Sequence, residues 1–433
     1  MKITYFLGEF PLVTENFIIY EIDALIRQGE DVEIFSLGHP VSGKMSEQPQ
    51  KLGFSDKIHY ANIFNKSRLN VKVSLAWLLL KLLLKGNISA FKKILKDKET
   101  CAEYSRYQLL AIADRLKKVQ PDADLIVSHF GPTGRVLAIL KEYDLLTMPF
   151  TTTFHGYDIT SYLKTHGEEI YNLLFRNADQ LIFVSDFFRQ KAIELGASEK
   201  NLCVIHTSIN CEDFSFYPRQ LPQEGSVRFI CVGRLTEKKG QVYLLEAFAK
   251  ICSKLPTKNI HLDLVGGGPL EETIRQKAKE LNVEEYVTIH GSVQHEVVKE
   301  LLAKAHVFIL HSIVADDGDM EGIPCSLMEA MAQGLPVIST YHSGIPELID
   351  HNVSGLLGEE RDVDVLEALM MKFINEPQIW ADMTKAAREK VEDEFERKKE
   401  TQRLIETFEK TIAASKASSC CKEGGSCQGR QKT

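Results

Sequence analysis

The sequence predicts a chain of two α/β domains, each built on a doubly wound parallel sheet. Its 433 residues are enough for two sizeable domains. The chain opens with a strand, a helix and a strand over residues 2–7, 16–28 and 31–37. Such a βαβ unit builds a parallel sheet, whose ligands bind beyond the carboxyl ends of the strands. A second series of strand, loop and helix starts at residue 227, where we expect the second domain.

Composition narrows the class of protein. Hydrophobic residues make up 44% of the chain and charged residues 26%, as in ordinary globular proteins. The formal net charge of −8 argues against a nucleic-acid partner. The first residues form a short strand rather than a signal peptide, and no uncharged apolar run reaches the length of a membrane span. Four cysteines in or beside apolar segments fit reduced thiols in the cytoplasm, namely Cys203, Cys231, Cys252 and Cys325.

Residues 66–98 differ from the rest in charge. They hold nine Lys or Arg residues against one acid, Asp97, around a leucine-rich run that contains Trp77. A basic apolar helix with a tryptophan can lie on an anionic membrane surface. A helix that packs in the core and keeps its basic side in solvent shows the same pattern. The sequence leaves both interpretations open.

Two histidines of the first half follow predicted strands. Residues 124–128 form a strand that ends at His129, and residues 149–154 form one that ends at His155. Loops at this end of a parallel sheet reach the ligand cleft, although a lone histidine there is often structural. Gly8, which follows the first strand, either faces the same cleft or only forms a turn.

The loop after the strand of residues 227–232 carries charges that suit phosphate. It reads Gly233-Arg234-Leu-Thr-Glu-Lys-Lys239-Gly240 and leads into a helix. Arg offers a planar fork to phosphate oxygens, and Lys offers a point charge. A solvated basic loop without a ligand is the alternative.

Glycines follow the next strand, residues 260–265. Gly266 and Gly268 are followed by Pro269, and Glu271 stands where a dinucleotide fingerprint has its third glycine, so this is not that fingerprint. Glycines here either let the backbone approach a ligand or only make a tight turn.

Residues 316–331 hold the most informative pattern. Seven residues separate Glu321 from Glu329, and Pro324 between them suits the first position of a helix. The amides left unpaired at that helix N-terminus, which would attract phosphate, are those of Cys325, Ser326 and Leu327. One carboxylate before the helix and one on it suit a nucleotide-sugar, which has hydroxyls on both sides of its phosphates. A solvated loop before an amphipathic helix is the alternative.

Together these motifs resemble those of the retaining glycosyltransferases of family 4. Residues 321–329 resemble the family's E-x7-E motif, and Phe-His155-Gly-Tyr-Asp158 is similar to its H-G-x-D segment. The family's G-R-x-x-x-x-K-G loop is matched by Arg234, Lys239 and Gly240, and Lys238 is one residue off it. Asp-Gly-Asp-Met-Glu-Gly-Ile-Pro, with His-Ser-Gly-Ile-Pro-Glu downstream, resembles the branch that builds colanic acid and similar bacterial exopolysaccharides.

The resemblance implies the GT-B fold, in which two Rossmann-like domains face each other across a cleft. A C-terminal helix would cross back to the first domain, and an apolar stripe suits it: Leu404, Ile405, Phe408 and Ile412. The expected parts are an acceptor-side domain (1–207), a linker (208–225), a nucleotide-sugar domain (226–397), the crossover helix (398–414) and a disordered tail (415–433). The tail's three cysteines make a poor zinc site.

The resemblance also implies an activity. A hexosyl group would pass from UDP-galactose or UDP-glucose to a lipid-linked oligosaccharide, with retention of the anomeric configuration. No second carboxylate is placed as a nucleophile, so the departing diphosphate would be stabilised electrostatically, without a divalent metal or cofactor. The enzyme would work as a peripheral protein at the inner face of the plasma membrane.

Three groups of site residues follow from the resemblance. The catalytic group is His155, Arg234, Lys239 and Glu321. The donor-binding group is Gly8, Arg234, Lys239, Gly240, Gly266, Gly268, Glu321, Gly322, Ile323, Pro324, Cys325, Ser326, Leu327 and Glu329, with Glu329 on the ribose and Glu321 on the sugar. The acceptor-side group is His129 and Asp158, and no metal ligands are expected.

Three other functions share parts of this pattern. A sugar-nucleotide epimerase of the same fold would convert the donor with no acceptor present. A non-catalytic subunit would bind nucleotide-sugar without turnover, and a membrane-surface scaffold would bind lipid but no nucleotide. The intact set of Arg234, Lys239, Glu321 and Glu329 argues against a degenerate or purely structural protein.

Overall fold

The computed structural model describes residues 1–41, 44–63, 68–84, 86–96, 104–222, 226–255 and 259–422. The first sheet is formed by β1 (Lys2–Glu9), β2 (Asp31–Gly38), β3 (Ile58–Tyr60), β4 (Leu125–His129), β5 (Phe150–Phe154), β6 (Gln180–Phe183) and β7 (Leu202–Val204). The second is formed by β8 (Val227–Val232), β9 (Ile260–Val265), β10 (Val287–Gly291), β11 (Val307–Ile309), β12 (Val337–Thr340) and β13 (Leu356–Gly358). Two separate sheets confirm the prediction of two α/β domains.

Both sheets share one topology. Their strand orders are β3-β2-β1-β4-β5-β6-β7 and β10-β9-β8-β11-β12-β13, and the strands pair in parallel. In each sheet the order reverses beside the domain's first strand, which is where parallel sheets open a crevice for ligands. The six strands whose bounds the sequence predicted above agree with the structure to within two residues, whereas the three-residue edge strands β3 and β13 were not predicted.

Helices connect the strands. Their bounds are α1 (Asn16–Arg27), α2 (Gln48–Lys51), α3 (Arg68–Leu84), α4 (Ile88–Lys96), α5 (Arg106–Val119), α6 (Gly131–Glu142), α7 (Ser161–His166), α8 (Asn172–Asn177), α9 (Asp186–Glu194), α10 (Gln241–Lys254), α11 (Glu271–Glu280), α12 (His295–Lys304), α13 (Cys325–Ala332), α14 (Ile345–Leu348), α15 (Val363–Asn375), α16 (Trp380–Glu394) and α17 (Arg397–Lys422). Along β1, Tyr5 belongs to one buried cluster and Phe6 to another, because successive side chains of a strand point to opposite faces. Both faces of the first sheet are therefore covered.

Helix α17 returns to the first domain. Its stripe of Leu404, Ile405, Phe408 and Ile412 is buried in one cluster with Ile18 and Ile22 of α1. The helix continues to Lys422, so residues 415–422 are helical rather than the start of a disordered tail. The rest of the predicted tail lies outside the described residues.

The predicted linker differs from expectation. Ile209, Cys211 and Phe214 are buried in the core of the second domain, and Arg219 donates to the backbone oxygens of Leu302 and Ala305. This part of residues 208–225 is packed, because its apolar side chains cover the edge of the second domain.

The basic segment forms α3 and α4. Leu78 and Ile94 are buried, and Leu75, Leu79 and Leu82 pack against the core. The opposite side of α3 leaves Val73, Trp77, Leu80 and Leu84 exposed, and Trp77 keeps 57% of its surface. Only one side of these helices packs in the core, so the core-packing interpretation holds for that side and leaves the other side unexplained. Among the described residues, no helix combines the length and apolarity needed to cross a membrane.

Candidate active site

The first domain contributes two histidines at the ends of β4 and β5. His129 Nδ1 lies 2.9 Å from His155 Nε2, and His129 Nε2 lies 3.0 Å from Glu21 Oε1 on α1. His129 is fully buried, whereas His155 keeps part of its surface exposed beside the second domain. Burial and the nearby His129 lower the pKa of His155 well below its ordinary value, so its imidazole is neutral. His129 has no exposed surface and lies behind His155, which leaves no access for the acceptor-side contact predicted for it, whereas the role predicted for His155 stays a prediction.

Asp158 shapes the same loop from inside. Its carboxylate accepts from the backbone amides of Gly131, His155 and Gly156 at 2.9–3.0 Å, and its side chain has no exposed surface. Burial raises the pKa of Asp158, against the effect of these three donors. The structure therefore corrects the acceptor-side assignment of Asp158, because this carboxylate is used up in holding the His155 loop.

The second domain brings two lysines to Glu321. Lys239 Nζ lies 3.1 Å from Glu321 Oε1, and Lys238 Nζ lies 3.7 Å from the same oxygen and 2.9 Å from Asp319 Oδ2. Glu321 is only 8% exposed. Burial would raise its pKa, but the charges of Lys239 and Lys238 outweigh burial and lower it, so Glu321 is ionised. Lys238, which the motif left out, belongs to this cluster as much as Lys239 does.

A buried histidine holds Glu321 in place. The backbone amide of Glu321 donates to His342 Nε2 at 3.0 Å, and His342 Nδ1 lies 2.6 Å from Glu360 Oε1. His342 is therefore the tautomer with its proton on Nδ1. Glu360 also accepts from the amide of Val314. The Glu321 loop is fixed from the loops after β12 and β13.

The helix after Glu321 starts one residue later than predicted. Pro324 is the N-cap residue, and α13 begins at Cys325. The amide of Leu327 donates to the carbonyl oxygen of Pro324 at 3.1 Å, so only Cys325 and Ser326 keep unpaired amides there. Two amides rather than three remain for an anion, since the first turn tightens after proline. Ile323 and Pro324 are buried and anchor this turn.

Glu329 lies one turn into α13. It makes no side-chain hydrogen bond or ion pair with the described residues. Burial raises the pKa of Glu329 to about 7, against the opposing charges of Lys299 and Arg397. Arg397, from α17, stacks over the ring of Tyr20 on α1 at 4.8 Å. Arg397 of the crossover helix therefore lies between Glu329 of the second domain and Tyr20 of the first.

The glycines of the donor loops are required by close packing. Gly240 has φ +63°, and a Cβ on it would lie 1.9 Å from the carbonyl oxygen of His311. A Cβ on Gly266 would lie 2.1 Å from the carbonyl oxygen of Gly233, and one on Gly268 would lie 2.4 Å from that of Leu235. Packing of loop against loop explains these glycines, and their contact with a donor stays a prediction.

Two predicted residues have few neighbours. Arg234 is exposed, and its guanidinium makes no ion pair among the described residues. Gly8 lies inside β1, which runs to Glu9, and a Cβ on it would meet only Thr133 Oγ1, at 3.9 Å. Arg234 is thus free to meet a ligand, and Gly8 leaves room beside the first strand.

The two domains meet at this site. A Cβ on Gly322 would lie 3.2 Å from the carbonyl oxygen of His155, so the Glu321 loop packs directly on the His155 loop. Glu347, on α14, accepts from the amides of Asp186 at 2.9 Å and Phe187 at 3.1 Å, which are the first residues of α9 in the other domain. Glu347 Oε2 also lies 3.1 Å from His206 Nε2. We call these three contacts the Glu347 clamp.

Buried polar atoms collect at the same edge of the second sheet. Thr236 Oγ1, Ser312 Oγ and Ser343 Oγ have no hydrogen-bond partner among the described residues, and neither has either ring nitrogen of His311. Buried polar atoms are nearly always paired in proteins. A ligand rich in hydroxyls and phosphate oxygens would pair with them.

Comparison with known proteins agrees with this geometry. The family model described as "Glycosyl transferases group 1" matches residues 213–390, and "Glycosyltransferase Family 4" matches residues 97–213. The crystal structure of Anabaena HepE in complex with UDP superposes with a TM-score of 0.70 at 18% identity, over 95% of this chain and 100% of that one. The fold is GT-B, as the resemblance implied.

Two curated relatives extend over nearly the whole chain. The amylovoran biosynthesis glycosyltransferase AmsK of Erwinia amylovora is 33% identical over 416 residues, 95% of this chain and all of that protein. The putative colanic acid biosynthesis glycosyltransferase WcaL of Salmonella typhimurium is 34% identical over 401 residues, 91% of this chain and 96% of that protein. The chain therefore belongs to the family 4 glycosyltransferases.

Several site residues escaped the sequence analysis. Lys238 is next to Lys239, which matches a motif. His342 and Glu347 belong to a motif, but the sequence assigned neither of them a role. Glu21 and Glu360 gave no local signal, because their partners lie 108 and 18 residues away.

Proposed function

We propose that this glycosyltransferase moves a hexosyl group from a UDP-sugar, UDP-galactose or UDP-glucose, to a lipid-linked oligosaccharide during bacterial exopolysaccharide synthesis. The observation that carries the proposal is the cluster of Lys238, Lys239 and Glu321 beside the N-terminus of α13. The names of the relatives support the pathway, and UDP in the HepE structure supports the nucleotide.

The donor would lie across the second domain. Arg234, Lys239 and the amides of Cys325 and Ser326 would hold the diphosphate, with Lys238 beside them. Glu321 would accept hydroxyls of the sugar and Glu329 those of the ribose. The lysines, now paired with Glu321 and Asp319, would exchange part of that pairing for phosphate oxygens.

The reaction would proceed on one face of the sugar. The bond from the anomeric carbon to the diphosphate breaks, the acceptor hydroxyl forms the new bond on the same face, and its proton passes to the departing diphosphate. Fixed positive charge and helix amides stabilise that leaving group in a water-poor site. We propose that this needs no divalent metal, so activity should persist in excess EDTA.

The acceptor proposal rests on the surface of α3. This helix has an exposed apolar stripe (Val73, Trp77, Leu80 and Leu84). Exposed lysines without a partner among the described residues are Lys72 on α3 and Lys92 and Lys96 on the next helix, α4. A tryptophan-containing apolar stripe with flanking lysines suits an anionic lipid surface. We propose that this face docks the enzyme on the inner leaflet, where a lipid-linked acceptor would be found.

Thermal unfolding with a panel of nucleotides tests the donor assignment. UDP, GDP and their hexose derivatives are added to the full chain and to Glu329→Ala. A ligand at a hundredfold its dissociation constant adds about 2.7 kcal/mol of stability. We expect a shift with UDP and UDP-hexoses that is reduced in Glu329→Ala. A shift with GDP-mannose alone would overturn the uridine assignment, and no shift with any nucleotide would favour the scaffold function.

A further inference from the structure

One carboxylate holds both ends of residues 314–321, the segment that carries Glu321. Glu360 Oε2 accepts from the amide of Val314 at 2.8 Å, at the start of the segment. Glu360 Oε1 lies 2.6 Å from Nδ1 of His342, whose Nε2 accepts from the amide of Glu321 at 3.0 Å, at the end of the segment. Glu360 therefore fixes one end directly and the other end through His342.

The backbone determines where the protons of this chain lie. An amide N–H can only donate, so Nε2 of His342 must have a lone pair, and the ring is neutral with its proton on Nδ1. His342 then donates to Glu360. Burial would raise the pKa of Glu360, but the hydrogen bonds from His342 and from the Val314 amide outweigh burial and lower it. Glu360 is thus an ionised carboxylate that offers one oxygen to each of two donors.

The backbone is strained beside both supports. Ser343, directly after His342, has φ +48°, and Arg361, directly after Glu360, has φ +61°. Residues other than glycine are uncommon in this left-handed region, and surrounding contacts must stabilise them there. Arg361 also donates to the carbonyl oxygen of Val314, so two adjacent residues hold both backbone groups of Val314. Strain that a protein retains in this way is concentrated at functional sites.

The segment between the two ends contributes directly to the site. Asp319 and Glu321 pair with Lys238 and Lys239, and Met320 packs against the core of the first domain. A side chain that must meet one hydroxyl of a ligand has to be held within about 0.5 Å of its position. The two fixed ends supply this restraint for Glu321.

We propose that Glu360 is a positioning residue which, with His342, fixes both ends of residues 314–321 and so places the Glu321 carboxylate for a hydroxyl of the transferred sugar. The part that concerns the hydroxyl rests on the proposed function. The part that concerns the backbone does not.

Amide hydrogen exchange of the full chain tests the backbone part without a substrate. In Glu360→Leu, which removes both acceptors, the amides of Val314 and Glu321 should exchange about tenfold faster or more. In His342→Phe, only the amide of Glu321 should do so. The matched control is Glu359→Gln, a neighbouring exposed carboxylate that makes no hydrogen bond or ion pair among the described residues. It should exchange like the wild type.

The amide of Val365 separates loss of these bonds from unfolding of the surrounding turn. It donates to Asp362 Oδ1 at 2.9 Å, at the start of α15, and its exchange should stay unchanged. If Glu360→Leu unfolds the turn, Glu360→Gln replaces it, because it keeps the size and one acceptor and should leave only one of the two amides protected. Unchanged exchange of Glu321 in Glu360→Leu, or two protected amides in Glu360→Gln, would overturn the proposal.

Binding experiments test the part that concerns the sugar. In Glu360→Leu and His342→Phe, affinity for UDP-glucose or UDP-galactose should fall about 3- to 10-fold, the size of one hydrogen bond. Affinity for UDP alone should be retained, because the lysines and helix amides proposed to hold the diphosphate are still present. Equal losses for UDP and the UDP-hexose would indicate a distorted donor site and reject the positioning role. Unchanged affinity for both UDP-hexoses would reject the sugar contact.

The two parts of the proposal can fail separately. If no nucleotide binds the wild type, the proposed function and the sugar contact fall together. The exchange result still decides whether Glu360 holds the segment.

Discussion

At the scale of a single residue, the charge on Glu329 has opposite effects on the stability of the free protein and on the proposed binding of ribose. Its pKa of about 7, against an ordinary value of 4.5, means that the free protein disfavours the ionised form. A raised pKa contributes stability below the unfolded value of 4.5, and this contribution is lost as the pH rises through 7. A ribose, in contrast, is bound best by the carboxylate. If Glu329 makes the proposed ribose contact, its charge is unfavourable in the free protein and favourable in the complex.

Glu329→Gln should separate these two effects. At pH 8 the variant should unfold at a higher temperature than the wild type, by roughly 2–4 °C for about 1 kcal/mol, because a buried charge is removed. It should also lose most of the stabilisation by UDP-glucose or UDP-galactose. Lower Tm in the free variant, or undiminished ligand stabilisation, would contradict the assignment.

The same residue predicts a pH dependence for the wild type. Affinity for a UDP-hexose, whose diphosphate does not titrate near neutrality, should fall about tenfold from pH 8 to pH 6 as Glu329 takes up a proton. Calorimetric titration at several pH values measures this, and Glu329→Gln should flatten the slope. An equal slope in the variant would assign the proton to another group.

Lys239 matches the family motif and Lys238 does not, but the side chains of both lie beside Glu321. Loss of a charged contact costs about 1.5–3 kcal/mol, so Lys239→Ala and Lys238→Ala should each weaken UDP binding by about one to two decades. The matched control is Lys254→Ala, which breaks a 2.7 Å ion pair with Glu367 on an outer helix. If Lys239→Ala weakens UDP binding and Lys238→Ala does not, Lys238 is not a donor-binding residue, as its place outside the motif indicated.

At the scale of elements, the two sides of α3 differ in burial. One side packs against the core of the first domain, and the other exposes apolar side chains to solvent. Lys81 is paired with Asp114 and Lys93 with Asp144, which leaves Lys72, Lys92 and Lys96 for an anionic partner. The structure thus reduces the candidate membrane-binding surface from the whole basic segment to one apolar stripe and three lysines.

Membrane docking predicts a change in vesicle binding without a loss of stability. The triple variant Trp77→Ser, Leu80→Ser, Leu84→Ser should bind vesicles of anionic phospholipid at least tenfold more weakly and unfold at an unchanged temperature. Tyr341→Ser, Val353→Ser, which removes exposed apolar side chains from the second domain, is the matched control. Equal binding of the triple variant and the wild type would remove the membrane proposal.

At the scale of the whole molecule, the Glu347 clamp joins the domains. A carboxylate on the first amides of α9 satisfies unpaired donors and interacts favourably with the helix dipole. Close packing of Gly322 on the His155 loop brings the Glu321 loop and the His155 loop together in the same arrangement. The contact between the two domains thus includes a carboxylate of α14 that the motifs did not assign to the donor site.

Loss of the clamp should open the molecule. Glu347→Ala should lower kcat about tenfold or more while affinity for UDP, which binds the second domain, changes less than threefold. Small-angle scattering should show a larger radius of gyration for the variant. Glu389→Ala, an exposed carboxylate on α16, is the control. Unchanged scattering and kcat would show that other contacts hold the closed form.

The sequence by itself determined the parts that depend on local order. The βαβ period predicted the two sheets, and the stripe on α17 predicted its return. The motifs named Lys239, Glu321, Glu329 and His155 as site residues, and their roles stay predictions. Only the tertiary structure brought Glu21 to His129, His342 to Glu321 and Glu347 to α9, because these partners lie far apart in the chain. It also showed that His129 and Asp158 are buried, since exposure at a strand end depends on what packs over it. Local pattern specifies elements and their charges, whereas burial and pairing depend on the whole fold.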